Sequence, residues 1–104
     1  MSDIIVRMQL NDKQRKHLRG IAHDLKPIVL VGSSGVSNGL TVELNQTLDH
    51  HELVKVKLRV GDREARNLAI AQLLDKTGSA LVARIGNTAV LYKRREKNPG
   101  IELP

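Results

Sequence analysis

The chain has 104 residues, enough for one hydrophobic core and too few for two ordinary domains. Its 17 Lys and Arg against 11 Asp and Glu give a formal net charge of +6, which favours polyanionic partners, nucleic acid first. The longest apolar stretches, Ile4 to Val6 and Ile28 to Val31, are far below the roughly 20 residues of a spanning helix and resemble no signal peptide, so no membrane partner is expected.

The first helix is expected over residues 12–25. Leu18, Ile21, Ala22 and Leu25 fall on one face, and Asn11 with Gln14 has the spacing of a capping box. Its other faces carry Lys13, Arg15, Lys16, His17 and Arg19, more cations than solubility requires. Pro27 stops the helix. Residues 28–31 form an uninterrupted apolar run, which reads as a strand buried on both faces and internal to its sheet. Gly32, Ser33, Ser34 and Gly35 make a loop. Ser37 can then cap a second helix, with Leu40, Leu44, Thr47 and Leu48 on one side, ending near His50.

From Glu52 to Val60 the residues alternate. Val54, Val56, Leu58 and Val60 face one way, and Lys55, Lys57 and Arg59 face the other as a basic row. Gly61 and Asp62 turn the chain into a third helix, whose apolar face is Ala65, Leu68, Ala69, Leu73 and Leu74 and whose C-terminal glycine is Gly78. Arg63 and Arg66 lie near its start. Residues 81–85 and 89–93 are two antiparallel strands around a Gly86-Asn87 turn. After Lys93, Arg94, Arg95 and Lys97, residues 96–104 are expected to be a flexible tail of a single 1–104 domain. The order α-β-α-β-α-β-β implies an α/β fold: a four-stranded mixed sheet packed with three helices in a two-layer arrangement, with right-handed strand-helix-strand crossovers.

A Gly-x-x-Gly loop that opens a helix lets the backbone approach phosphate and presents unpaired N–H groups, to which Ser33 and Ser34 add hydroxyls. The same four residues serve equally as a plain tight turn. They carry neither the Gly-Lys-Ser/Thr of a P-loop nor the last glycine of a nucleophile elbow, whose place Val36 takes. Lys26 and the first helix's Lys13, Lys16 and Arg19 could surround the loop if that helix packs beside it. Lys55, Lys57, Arg59, Arg94 and Arg95 form a secondary cationic set, with a solvated strand face and a soluble terminus as the plain alternatives. His17, His23, His50 and His51 lack the spacing of paired metal ligands. No catalytic signature is present, so neither an enzyme nor a cofactor or small-molecule substrate is expected. The lack of cysteine excludes a disulfide framework and thiolate metal sites, and the cytoplasm is the default compartment. With Tyr92 the only Phe, Tyr or Trp, RNA contact should be mainly to backbone and shape, and Tyr92 itself suits hairpin packing better than base stacking.

Four segments carry a resemblance: LRGIAHDLKP over 18–27, VGSSGVSNGL over 31–40, HHELVKVKL over 50–58 and IGNTAVLYK over 85–93. They resemble the YhbY family, the stand-alone bacterial form of the CRM domain of chloroplast RNA splicing and ribosome maturation. The resemblance implies an RNA-binding domain similar in fold to the C-terminal domain of translation initiation factor three. It also implies a loop, Gly32 to Gly35, comparable to the backbone-clamping loop of KH domains. Such loops often hold a basic residue at a middle position, where this chain has Ser33 and Ser34. Bacterial members are linked to precursors of the large ribosomal subunit, so the implied partner is large-subunit ribosomal RNA or its precursor. A protein-interaction module docking on a ribosomal protein or assembly factor is the alternative.

Overall fold

The computed structural model describes residues 9–104; the Ile4 to Val6 run lies outside the described residues. The elements are α1 (Asp12–Ala22), β1 (Val29–Val31), α2 (Asn38–His51), β2 (Leu53–Leu58), α3 (Arg63–Thr77), β3 (Ala80–Ile85) and β4 (Thr88–Tyr92). The local signals act as their chemistry requires. Asn11 Oδ1 accepts from Gln14 N–H at 2.8 Å while Gln14 Oε1 accepts from Asn11 N–H at 3.1 Å, closing the capping box of α1. Ser37 and Asp62 cap α2 and α3 through the N–H groups of Leu40 and Ala65. Gly78 ends α3 in the left-handed region at φ 71°. The first helix ends at Ala22 rather than Leu25, because a helix running on into Pro27 would drive the proline ring against the carbonyl four residues back.

The sheet order is β1-β2-β4-β3, with β1 parallel to β2 and the other two pairings antiparallel. Expected as an internal strand, β1 instead lies at the edge. The closing hairpin inserts β4 between β2 and β3, and β1 is left with one partner. Only Val29 and Val31 are buried; Ile28 and Leu30 are 55% and 49% exposed. The unbroken apolar run therefore hides an ordinary half-buried strand, whose outward residues happen to be aliphatic.

Among the described residues, three helices and a four-stranded mixed sheet are present as the sequence implies, and the layering is fuller than two. Leu44, Leu48, Ala69, Ile70 and Leu73 of α2 and α3 pack on the face carrying Val54, Val56, Leu58, Ala89 and Leu91. Leu18 and Ala22 of α1 pack on the opposite face, against Leu53, Ala80, Val82, Val90 and Tyr92. Period-two alternation along β2 and β4 separates these two cores. Tyr92 is fully buried in the second core, as the packing reading expects, so the chain exposes no Phe, Tyr or Trp ring. Burial and the nearby negative charge of Glu52 raise its pKa, against the opposing charge of Arg94.

The segment read as a flexible tail is placed against the domain. Ile101 and Leu103 pack on the α1-side core. Buried Glu52 accepts N–H bonds from Arg95 at 2.8 Å, Gly100 at 2.7 Å and Ile101 at 3.0 Å. Glu52 holds φ 63° and ψ −42°, an unusual positive-φ turn for a non-glycine residue, which ends α2 and aims its carboxylate at the tail.

Candidate nucleic-acid interface

α1 covers β3 and the start of β2 and leaves the rest of that face open. Between helix and sheet runs a groove of about 530 Å³, with Lys16, Arg19, Gly20 and His23 on the α1 wall and Lys55, Ile85 and Val90 on the sheet wall. Among the described residues, no carboxylate lines it. Lys57 stands on the same face of β2 as Lys55, in register with Leu30 on one side and Thr88 on the other. The ammonium of Lys55 donates to the Leu25 carbonyl at 2.8 Å, which pins the chain leaving α1 and holds that charge at the groove wall. Lys13 lines a shallower neighbouring hollow with Lys16, His17, Gly20, Ile21 and Pro104.

The Gly32 to Gly35 loop sits elsewhere. It is closed by a Gly35 N–H to Gly32 carbonyl bond of 3.0 Å, with Gly35 at φ 77°. Ser33, Ser34 and Gly35 border a hollow of about 240 Å³ together with residues of α3 and the turn before it, among them Gly61, Ala65 and Leu68. The structure therefore does not surround the loop with the α1 cations, because α1 lies on the opposite face from α3. Lys26 precedes β1, at the other end of that strand, beside Ile28, His51 and Lys55. The candidate cation tied most directly to the loop is Arg59, whose backbone N–H donates to the Val31 carbonyl at 2.7 Å. Two regions result: a groove with cations on both walls, and a glycine loop with Arg59 beside it.

Arg94 and Arg95 divide in the same way. Arg94 is exposed and lines a cleft of about 650 Å³ with Asn45, Asp49, Lys93 and Lys97. Arg95 is committed to the protein: its guanidinium donates to the carbonyls of His50 at 3.0 Å and Asn98 at 3.0 Å, and more weakly to Asp49 at 3.4 Å. It neutralises the carbonyl end of α2 and stands behind Glu52. Sequence reasoning missed both this role and Glu52. The available signal was phase in the sequence, where Glu52 stands two residues before Val54 in the alternation Val54, Val56, Leu58, although the structure ends α2 at Glu52 and starts β2 only at Leu53.

The glycines of the loop are separable by experiment. A Cβ at Gly32 meets nothing within 4 Å, and at Gly35 the space is equally open but φ is positive. Gly35→Ala is expected to lower stability by about 1 kcal/mol through left-handed strain. Gly32→Ala should leave the melting temperature nearly unchanged. Loss of RNA affinity in Gly32→Ala at unchanged stability then reports close approach of backbone to phosphate; unchanged affinity rules that approach out at Gly32.

The fold and the groove together define a compact α/β domain with a cation-lined open sheet face. The chain belongs to the CRS1 / YhbY (CRM) domain family, whose profile matches residues 10–93. A Haemophilus influenzae protein named "RNA-binding protein" is 41% identical over 95 residues, covering 91% of this chain and 95% of the relative. YqeI of Bacillus subtilis, likewise named for RNA binding, is 40% identical with 91% and 99% covered. The solution structure of a Staphylococcus aureus protein superposes with a TM-score of 0.80 at 32% identity, covering 92% of this chain and all of the other.

Proposed function

We propose that this protein binds structured RNA through its phosphate backbone and shape, without catalysis, and associates in the cytoplasm with precursors of the large ribosomal subunit during assembly. The observation that carries the reading is the meeting of Lys16 and Arg19 from α1 with Lys55 from β2 across one groove with no carboxylate among its described lining residues. Elements far apart in sequence bring like charges to one surface, where each repels its neighbours unless a polyanion offsets them. Lys57 extends the row, and Lys13, Lys26, Arg59 and Arg94 are the outlying contacts. The Gly32 to Gly35 loop offers backbone N–H groups to a further phosphate. The RNA-binding names of the relatives support the partner, and the resemblance to bacterial YhbY proteins supports the large subunit.

A second reading rests on the exposed Ile28 and Leu30 of edge strand β1, a surface on which an extended segment of a ribosomal protein or assembly factor could pair. Sedimentation of a lysate through a sucrose gradient, with and without ribonuclease, separates the two. The expected result is co-migration with large-subunit precursors that ribonuclease abolishes. Co-migration that survives ribonuclease favours the protein partner, and migration with the small subunit defeats the large-subunit assignment.

A further inference from the structure

Gly20 lies in the last turn of α1, where glycine still has a lower helix propensity than alanine. Nothing among the described residues requires it: its backbone is not in the left-handed region, and a Cβ built on it meets no described atom within 4 Å. The space left open belongs to the basic groove, on whose wall Gly20 lies. Opposite stands Ile85, a large aliphatic side chain 60% exposed at the end of β3. The groove thus sets the exposed side chain of Ile85, over a floor of buried Ala22 and Val90, beside the cations Lys16, Arg19 and Lys55.

That pairing of surfaces matches one nucleotide, which has a flat, weakly hydrated base face and an anionic phosphate. A base inside a continuous A-form stem has both faces covered by its neighbours and cannot reach such a lining. An unpaired base can, because its unstacking cost is small or already met. We propose that the groove, kept open by Gly20, receives one unpaired nucleotide of the bound RNA, its base against Ile85 and its phosphate held by Lys16, Arg19 and Lys55. This inference rests on the RNA-binding reading and adds a selection rule to it: the preferred target is a stem interrupted by an unpaired residue. With Tyr92 buried, the aliphatic lining takes the place that an aromatic ring holds in many single-strand binders.

The test is fluorescence anisotropy with two hairpin RNAs that differ only in one unpaired adenosine within the stem. The wild-type protein is expected to bind the interrupted hairpin about tenfold more tightly, which corresponds to about 1.4 kcal/mol. Gly20→Leu, which fills the groove while raising the helix propensity of α1, is expected to bind the two hairpins alike. Ile85→Ser, made on the opposite wall, should weaken the preference independently, and thermal melts of both variants establish that they are folded. Equal binding of the two hairpins by the wild-type protein, or a preference that survives in folded Gly20→Leu, overturns the proposal and leaves RNA binding intact. Failure of the wild-type protein to bind either hairpin overturns the RNA reading and the proposal with it.

Discussion

Glu52→Ala is expected to lower the unfolding free energy by about 3 kcal/mol, because it leaves the part-buried N–H groups of Arg95, Gly100 and Ile101 without their acceptor and removes the negative charge near Arg95. Residues 95–101 should detach, and trypsin should cut at Lys97 much faster than in the wild-type protein. Glu52→Gln keeps one oxygen acceptor and should fall between the two. Urea unfolding gives the stability and timed trypsin digestion the detachment; a variant as stable and as resistant as wild type would show that the carboxylate is dispensable.

The pH dependence of this contact has a definite sign. Burial works against the charged carboxylate, but the N–H groups of Arg95, Gly100 and Ile101 and the charge of Arg95 outweigh it and hold the pKa below the ordinary glutamate value. A depressed folded pKa means that the stabilisation is complete above the unfolded pKa and fades as pH falls through the lower folded one. The gap in stability between wild type and Glu52→Ala should therefore narrow on acidification through that window. Curves that stay parallel would place the effect in packing alone.

The second large effect concerns binding. Replacing Lys16, Arg19 and Lys57 together by Gln is expected to weaken association with ribosomal RNA on the order of a hundredfold at low salt and to flatten the dependence of log K on log salt by about 2 to 3. All three are surface cations on the α1 side of the sheet with no hydrogen bond that the fold depends on, so the melting temperature should barely move. Arg95→Gln provides the contrast. Its guanidinium holds the end of α2 to the tail, and its loss should cost stability while the salt slope stays near that of wild type. An unchanged slope in the triple variant would remove the groove from the RNA interface.

Much of the fold was legible because its signals are local. Asn11 with Gln14, Ser37, Asp62 and Gly78 mark helix ends through bonds to residues three or four positions away, and Gly86-Asn87 reverses the chain within a two-residue turn. The alternation of β2 gave both its buried and its basic face. The placement of β1 was illegible for the converse reason. Whether an apolar strand is covered on one side or two depends on which strand lies next to it, and that neighbour is chosen by the β3–β4 hairpin more than fifty residues later.

The sequence by itself determined the element order, the caps, the family and the excess of positive charge, since each is written in residue types at short spacing. Only the tertiary structure decided which cations share a surface. Packing α1 on the face opposite α3 parts Lys16 and Arg19 from the glycine loop and joins them to Lys55, while the positive-φ turn at Glu52 takes Arg95 into the fold. Charge is carried by single residues, but an electrostatic site is a sum over distances in space, and those distances are fixed by long-range packing.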